Sequence, residues 1–322
     1  MNIFSGNSNP ILADKIIKEL HEQSGGIVIK KFSNGECYVE YPSSVRNETA
    51  VIIQSTARSF GNAEATANSV NDNLMFQLLM ADALKLNGAS QVMLCSPYFA
   101  YARQDHTDED ARAPLSAALV INMLKVAGVT HLITTDIHNR SIMNAFRRPF
   151  KNVKISDLFA NDIRQNYEIS NMIIVSPDYG GQPRARAVAN RLGLDNAFCY
   201  KKRGKAATEA NKIKQMMLVS EDDVEVKGKD VILTDDIADT CGTLIECTNL
   251  LYARGAKSVR AYATHGEFSG NALDAIAGSA LKELITTDTI ANEAADKLPN
   301  TRRISVAQLL AHEIYNMMTT RR

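Results

Sequence analysis

The sequence predicts an α/β protein with two domains, each a mostly parallel β-sheet flanked by helices. Short apolar runs alternate with helical patterns along the chain, which favours parallel strands covered by helices on both faces. This alternation occurs twice, on either side of a segment of mixed polarity near 146–157 that contains Pro149. A chain of 322 residues with 45% hydrophobic composition is long enough for about two domains with full cores.

The first predicted domain covers residues 1–150. Its predicted elements are strands at 51–53, 92–95 and 132–134 and helices near 71–86 and 115–127. The first of these helices carries the usual end signals, because Asn71 or Asp72 can cap its start and Gly88 follows its end. A loop rich in Ala, Asn, Ser and Thr precedes it at 58–68.

The second predicted domain covers residues 151–322. Its predicted elements are strands at 172–175, 197–200, 231–234 and 259–263 and helices at 184–192 and 244–254. The rhythm matches that of the first domain, so we expect two α/β units of similar size.

Charge and composition exclude several classes of protein. The 36 basic residues equal the 36 acidic ones, so no net field draws the chain to nucleic acid or to a membrane surface. No run approaches the roughly twenty apolar residues of a membrane helix, and no leader pattern opens the chain. The five cysteines are scattered and odd in number, which predicts reduced thiols without a disulfide or a zinc site. We therefore expect a soluble cytoplasmic protein.

The segment 231–243 has the sequence V-I-L-T-D-D-I-A-D-T-C-G-T and leads into an amphipathic helical pattern. Asp235 and Asp236 come at the carboxyl end of a predicted strand, where a doubly wound sheet binds its ligands. The loop that follows places backbone N–H groups at a helix N-terminus, which favours a phosphate. Carboxylates repel a phosphate, so these aspartates and Asp239 must face hydroxyls or a metal. The segment therefore predicts a sugar phosphate site.

Two alternatives stay open for this segment. It is an ordinary acidic turn if Asp239 or Thr240 serves only as a helix N-cap. Cys241 lies near the predicted helix start, a position that can lower the pKa of a thiol. Because no His, Lys or Arg is among its neighbours in sequence, we interpret Cys241 as a small spacer rather than a reactive thiol.

Polar residues also follow four other predicted strands. They are Arg103, Gln104, Asp105 and His106; Asp136, His138 and Asn139; Asp178, Arg184 and Arg186; and Lys201, Lys202, Arg203 and Lys205. An isolated His or Arg is usually a surface or capping residue, but repeated positions at strand ends indicate a shared site. The last group predicts a basic loop that closes over phosphates, with a solvated basic turn as the alternative. The chain has no P-loop motif and no G-x-G-x-x-G motif, which argues against a P-loop kinase and a dinucleotide-binding dehydrogenase.

Taken together, these motifs closely resemble the ribose-phosphate diphosphokinase family over nearly the whole chain. They are F-S-N-G-E at 32–36, N-D-N-L-M at 71–75, Y-A-R-Q-D at 101–105, T-D-I-H at 135–138, S-P-D-Y-G-G at 176–181, K-K-R at 201–203, D-D-I-A-D-T-C-G-T at 235–243 and T-H-G-E-F-S-G at 264–270. Each motif is weak alone, but their shared order makes the assignment strong. The resemblance implies two similar phosphoribosyltransferase-like domains.

The resemblance implies a role for each matching residue. The ribose 5-phosphate site would contain Asp235, Asp236, Asp239, Thr240, Cys241, Gly242 and Thr243, and the ATP site would contain Phe32, Asn34, Gly35, Glu36, Arg103 and Gln104. His138 and Asp178 would hold Mg²⁺, a hard cation that keeps most of its waters. Lys201, Arg203 and Asp235 would be catalytic.

The implied enzyme is an ATP:ribose-5-phosphate diphosphotransferase. The anomeric hydroxyl of ribose 5-phosphate attacks the β-phosphorus of ATP, AMP leaves, and a diphosphate is placed on C1. Mg²⁺, Lys201 and Arg203 would mainly stabilise the transition state. No general base is identified, since Asp235 can orient the sugar without taking its proton. The resemblance also implies a homo-oligomer built from dimers, with a hexamer as one arrangement, in which the Phe32 segment reaches a neighbouring subunit's site.

This chain departs from the family pattern at several positions. Cys241 occupies a place where the family usually has Gly, Asn34 replaces an Asp, and residues 107–110 are acidic where the family is basic. These departures leave a second hypothesis open, in which the chain is a weak or silent relative that regulates an active synthase by co-assembly. A third hypothesis is a phosphoribosyltransferase, which shares the acidic loop but does not explain F-S-N-G-E or Y-A-R-Q-D.

Overall fold

The structure is a computed structural model that describes residues 2–59, 67–107, 112–203, 214–220 and 224–319, with the backbone alone for 201–203, 214–216 and 220. The chain divides into two compact units. Unit 1 comprises Met1–Val153, Asp288–Asn292 and Ser305–Arg322, and unit 2 comprises Lys154–Thr287 and Glu293–Ile304. No helix among the described residues is long and apolar enough to cross a membrane.

Unit 1 is built on a parallel sheet with strand order β1-β4-β5-β6-β7. Its elements are β1 (Asn2–Ser5), α1 (Pro10–Glu19), β2 (Val28–Lys31), β3 (Cys37–Glu40), β4 (Thr49–Ile53), α2 (Val70–Leu86), β5 (Gln91–Ser96), α3 (Ser116–Val126), β6 (His131–Thr135), α4 (Ile142–Phe146) and β7 (Phe150–Val153). Strands β2 and β3 form a separate antiparallel hairpin. The predicted strands and helices of this half are confirmed.

Unit 2 is built on a sheet with strand order β10-β9-β8-β11-β12-β13-β14, parallel except for the antiparallel pair β9–β10. Its elements are α5 (Ser156–Asn166), β8 (Met172–Ser176), α6 (Gln182–Leu192), β9 (Asn196–Arg203), β10 (Lys214–Ser220), β11 (Asp230–Ala238), α7 (Gly242–Ala253), β12 (Ser258–Gly266), α8 (Ala272–Ala277), β13 (Glu283–Thr287), a 3-10 turn (Ala295–Lys297) and β14 (Thr301–Ile304). The predicted α/β class with mostly parallel sheets is confirmed for both units.

The last helix, α9 (Ala307–Thr319), belongs to unit 1, whereas the domain prediction of 1–150 and 151–322 placed it in the second half. Asp288 explains this attachment. Its carboxylate accepts hydrogen bonds from Ser305 Oγ at 2.7 Å and from the Val306 N–H at 2.9 Å, and it pairs with Lys15 Nζ at 2.9 Å. These contacts tie the start of α9 to α1.

The predicted N-cap of α2 is wrong. The helix begins at Val70, so both Asn71 and Asp72 lie inside it. Its N-cap is Ser69, which has an extended conformation. The Ser69 hydroxyl accepts from the Asp72 N–H at 3.1 Å, and the Asp72 carboxylate accepts from the Ser69 N–H at 2.8 Å. This reciprocal capping box satisfies two N–H groups, which neither predicted cap could do alone.

A polar cluster in unit 2 joins helix α5 to strands β12 and β14. Arg302 donates to both carboxylate oxygens of Asp162 at 2.8 and 2.7 Å, and the Tyr262 hydroxyl donates to Asp162 at 2.5 Å. Burial alone would raise the pKa of Asp162, but these hydrogen bonds outweigh it and hold that pKa below its ordinary value of 3.8. The ionised carboxylate therefore stabilises the folded state.

We expect Asp162→Asn to lower the free energy of unfolding by about 2 kcal/mol at neutral pH, because Arg302 loses its charged partner. The folded pKa lies below the unfolded one, so this stabilisation is present above the unfolded pKa and is lost as the pH falls through the folded pKa. Urea denaturation at stepwise lower pH measures both effects. Asp157→Asn is the matched control, since the Asp157 side chain is 65% exposed against 12% for Asp162. Equal losses in the two variants would contradict the prediction.

Candidate active site

Asp235 and Asp236 lie inside strand β11 rather than on the loop after it. The strand was predicted to end at Thr234, but it continues to Ala238 because β12 is long enough to supply ladder hydrogen bonds to that point. The Asp236 N–H donates to Asp235 Oδ1 at 2.8 Å. A strand holds side chains more rigidly than a loop, so both carboxylates have fixed positions at the carboxyl end of the unit 2 sheet.

Arg184 is the cation of this site. It lies in the first turn of α6, with Nη2 at 3.3 Å from Asp236 Oδ2 and Nη1 at 3.9 Å from Asp235 Oδ1. The sequence analysis noted Arg184 at a strand end but did not assign it to the acidic pair. The missing information was the strand order, because α6 follows β8, and β8 is the direct neighbour of β11 in the sheet.

The acidic pair has an unusual protonation balance. Burial raises the pKa of Asp235 well above its ordinary value, and the neighbouring charges of Asp236 and Asp178 raise it further, while Arg184 lowers it. Two adjacent carboxylates repel each other in a partly buried site, so the second proton is hard to remove. Arg184 is therefore the group that partly offsets the raised pKa of Asp235.

The loop after β11 carries the predicted phosphate-binding residues to the start of α7. The alternative in which Asp239 or Thr240 serves as the helix N-cap is wrong, because the N-cap is Cys241, whose side chain makes no capping hydrogen bond. Helix geometry leaves the N–H groups of Gly242 and Thr243 without an intrahelical acceptor, and both residues are exposed. The start of α7 therefore presents backbone donors that suit an anion.

The segment after β12 braces this loop. The N–H groups of Glu267 and Phe268 both donate to the Ala238 carbonyl at 3.0 Å, and the Ser269 N–H donates to the Asp239 carbonyl at 3.1 Å. These bonds explain why the motif at 264–270 accompanies the acidic loop. The loop conformation is fixed by its neighbour in the sheet as well as by its own sequence.

Cys241 is buried, with its Sγ 3.8 Å from the Asp239 carbonyl oxygen. Burial raises the pKa of this thiol to about 12, and the charges of Asp239 and Asp235 act in the same direction. The thiol is therefore protonated at neutral pH, in contrast to the lowered pKa that a helix start alone could produce. This agrees with the interpretation of Cys241 as a spacer.

Cys241 adopts φ 60°, a left-handed conformation that favours Gly. We expect Cys241→Gly to be more stable than Cys241→Ala by about 1 kcal/mol, because only the Ala variant keeps the strained Cβ. This order is the reverse of the helix propensities of Ala and Gly. Urea denaturation of the two variants measures the difference, and a more stable Ala variant would show that no strain is present.

Asp178 shapes the turn between β8 and α6. Its Oδ1 accepts a hydrogen bond from the Gly181 N–H at 2.7 Å, and its carbonyl accepts from Ser176 Oγ at 2.7 Å. A Cβ at Gly181 would lie 2.5 Å from Ser176 Oγ, which explains the glycine. Asp178 is exposed at the same sheet edge as the acidic pair. Among the described residues, no group of three or more His, Cys, Asp and Glu side chains could hold a metal ion.

The predicted adenine segment is the turn of the β2–β3 hairpin in unit 1. The Gly35 N–H donates to the Phe32 carbonyl at 2.8 Å, and the Glu36 N–H donates to Asn34 Oδ1 at 3.1 Å. Gly35 has φ 92°, which accounts for the glycine. The Phe32 ring is exposed and meets Tyr38 edge-on at 5.6 Å between ring centroids. The hairpin thus presents an aromatic ring and a carboxylate to solvent.

Arg103, Gln104 and His138 follow neighbouring strands of the unit 1 sheet. The Gln104 N–H donates to the Tyr101 carbonyl at 2.9 Å, which closes a turn on the connection after β5. His138 lies on the connection after β6. All three predicted residues are exposed at the carboxyl edge of the sheet.

The predicted site residues are divided between the two units. His138 belongs to unit 1 and Asp178 to unit 2. Lys201 and Arg203 lie on β9, where only the backbone is described. Three further stretches fall outside the described residues. They are 204–213, which follows Arg203; 108–111, which contains the acidic residues of 107–110; and 60–66, which is most of the predicted loop at 58–68.

Unit 2 combines a mostly parallel sheet, two adjacent acids near the carboxyl end of one strand and a following helix start without a side-chain cap, which is the arrangement of a phosphoribosyltransferase-type domain. In agreement, residues 151–291 match the family described as phosphoribosyl transferase domain. Residues 1–128 match the N-terminal domain of ribose phosphate pyrophosphokinase.

Whole-chain comparisons agree with the domain matches. The ribose-phosphate pyrophosphokinase of Burkholderia pseudomallei is 41% identical over 96% of this chain and 92% of the relative. That of Neisseria meningitidis serogroup A is 39% identical over 97% of this chain and 90% of the relative. The crystal structure of phosphoribosylpyrophosphate synthetase from Mycobacterium smegmatis matches with a TM-score of 0.86 at 34% identity, over 98% of both chains. The chain therefore belongs to the ribose-phosphate pyrophosphokinase family, and it is an enzyme.

Proposed function

We propose that this enzyme transfers the β,γ-diphosphoryl group of ATP to the C1 hydroxyl of ribose 5-phosphate, giving phosphoribosyl pyrophosphate and AMP. The observation that carries the proposal is the pairing of Asp235 and Asp236 with Arg184 beside the open start of α7. A sugar phosphate needs acceptors for its hydroxyl groups and hydrogen-bond donors for its phosphate, and the two must lie a short distance apart. This edge of the unit 2 sheet supplies both.

The sugar side of the site divides between acids and amides. The N–H groups of residues 240–243 at the start of α7 bind the phosphate, where the positive end of the helix dipole adds to their attraction. Asp235 and Asp236 accept hydrogen bonds from the ring hydroxyls. Arg184 contacts both carboxylates and partly offsets the raised pKa of Asp235, so it favours the ionised, acceptor form of the pair.

The proposed ATP-binding residues are exposed residues of unit 1. The hairpin turn with Phe32, Asn34 and Glu36 binds the base by ring contact and hydrogen bonds. Arg103 and Gln104 bind the phosphates, and a guanidinium is suited to two phosphate oxygens at once. The nucleotide-binding role of unit 1 fits the division of the chain into two matched families.

His138 and Asp178 are the residues that would hold Mg²⁺. Both side chains are exposed at the carboxyl edges of their sheets, which would suit an ion that keeps several of its waters. When bound, the ion would neutralise phosphate charge. Lys201 and Arg203 of strand β9 add positive charge that stabilises the charge developing on the transferred group.

The exposed Phe32 hairpin supports assembly of the chain as a dimer-based homo-oligomer, in which the hairpin reaches a neighbouring subunit's site. A hexamer is one such assembly. The working location of the enzyme is the cytoplasm, where ATP and ribose 5-phosphate are supplied.

The direct test is to incubate the purified chain with Mg²⁺, ATP and ribose 5-phosphate, with and without inorganic phosphate, and to follow AMP and phosphoribosyl pyrophosphate by chromatography. We expect both products in equal amounts. AMP without phosphoribosyl pyrophosphate would contradict diphosphoryl transfer. If the purified chain alone shows no turnover but changes the turnover of an active relative when the two are mixed, the regulatory role is favoured.

A further inference from the structure

Asp105 differs from its neighbours on the connection after β5. Arg103, Gln104 and His106 are exposed, whereas the Asp105 side chain is only 2% exposed. A carboxylate turned inward needs charged or polar partners, because an unpaired buried charge is costly. Asp105 is therefore one point where this segment, 101–107, is attached to the rest of unit 1; another is the Gln104 carbonyl, which accepts from the Ala117 N–H at 3.2 Å.

Two side chains bind the Asp105 carboxylate. His106 Nδ1 lies 2.7 Å from Asp105 Oδ1, and the side-chain amide of Asn139 donates to the same carboxylate. Burial alone would raise the pKa of Asp105, but the hydrogen bonds from His106 and Asn139 outweigh it and keep that pKa below its ordinary value. Asp105 is therefore an ionised acceptor at neutral pH.

Asn139 connects Asp105 with the connection after β6. Its Oδ1 accepts a hydrogen bond from the Ser141 N–H at 2.9 Å, so its amide nitrogen is the atom that faces Asp105. The same connection is held to the sheet edge by the Ile137 N–H, which donates to Asn152 Oδ1 at 2.9 Å. His138 lies between Ile137 and Asn139. The Asp105–Asn139 hydrogen bond thus joins the segment with Arg103 and Gln104 to the loop with His138.

We propose that Asp105 is a positioning residue that locks these two ATP-side segments into one arrangement. The inference rests on the proposed function for the identity of the nucleotide. A segment held in its bound conformation loses less entropy on binding, so breaking the link weakens ATP binding. The ribose 5-phosphate site lies in unit 2 and does not depend on this hydrogen bond.

The test compares Asp105→Ala, Asn139→Ala and the double variant, with Thr107→Ala as a control on the exposed part of the same segment. We expect the Kd for ATP with Mg²⁺, measured by calorimetry without ribose 5-phosphate, to rise about tenfold in each single variant. The double variant binds ATP about as well as either single variant, because each single substitution already removes the Asp105–Asn139 hydrogen bond. Asp105→Asn, which still accepts from Asn139, recovers part of the affinity. Thr107→Ala binds as wild type.

A second readout does not depend on turnover. We expect amide hydrogen exchange at 101–107 and 136–141 in the unliganded protein to be faster in both single variants than in wild type, with the remainder of unit 1 unchanged. If wild type makes no phosphoribosyl pyrophosphate but the exchange pattern holds, the proposed function fails and the link stands.

Three results would overturn the proposal. They are wild-type ATP affinity in Asp105→Ala, an equal rise of KM for ATP and for ribose 5-phosphate, and losses that add in the double variant. The last two would indicate a general structural role. If Asp105→Ala does not fold, Asn139→Ala carries the same comparison.

Discussion

Arg184→Met is expected to lower kcat/KM for ribose 5-phosphate by about 10²-fold or more, because removal of one partner leaves buried charge uncompensated. Arg184 is the cation placed between Asp235 and Asp236, at 3.9 and 3.3 Å. Burial and Asp236 already raise the pKa of Asp235, and Arg184 is the group that opposes them. Without Arg184, the pKa of Asp235 rises further, so the pair keeps a proton to higher pH and one carboxylate accepts less readily from the sugar hydroxyls.

Steady-state kinetics across pH measures this effect. We expect the acidic limb of kcat/KM to move to higher pH in Arg184→Met, and Arg184→Lys to lose an intermediate amount because an ammonium cannot span both acids. Arg191→Met is the matched control on the same helix, since Arg191 pairs with the exposed Asp157. Equal losses in the two Met variants, or an unmoved pH profile, would show that Arg184 acts only through stability.

Lys201→Ala is expected to lower kcat by about 10²-fold or more while the KM values change less, as for a contact made mainly in the transition state. Lys201 lies on β9, where its backbone is opposite Met216 of β10. The antiparallel pairing fixes the backbone of position 201 between β10 and the rest of the unit 2 sheet. Position 201 therefore lies on a strand and not in the segment beyond it.

Strand geometry supplies the control for Lys201. By their backbone register, positions 201 and 203 share one face of β9 and position 202 belongs to the other, because a strand has a period of two. We therefore expect Lys202→Ala to lose much less activity than Lys201→Ala. Similar losses in both would mean that the basic segment acts as diffuse charge. Unchanged turnover in Lys201→Ala would reject its catalytic role.

The seven predicted strands, three in unit 1 and four in unit 2, were predictable because each is a short apolar run beside a helical pattern. Strands β2 and β14 were not predicted, because half or more of their residues are polar. The carboxyl-edge location of Asp235 and Asp236 followed from the same pattern, since a doubly wound sheet places its ligands there. The details that failed depend on pairing partners. The length of β11 is set by β12, and the cap of α2 is set by a reciprocal bond between Ser69 and Asp72.

Residues that act through distant neighbours were not predictable from spacing alone. Arg184 joins the acidic pair because β8 and β11 are adjacent in the sheet, although Arg184 and Asp235 are 51 positions apart in the sequence. Asp105 is similar, because only the fold shows that its side chain turns inward toward Asn139. The left-handed conformation of Cys241 is likewise a property of the folded loop.

The central claim is that the acidic pair on β11 and the start of α7 form the ribose 5-phosphate site. A crystal structure of the protein with ribose 5-phosphate tests it most directly. We expect the phosphate on the backbone amides of residues 240–243 and the ring hydroxyls on Asp235 and Asp236, with Arg184 still between the two carboxylates. A sugar phosphate bound elsewhere, with this loop closed by its own side chains, would contradict the account.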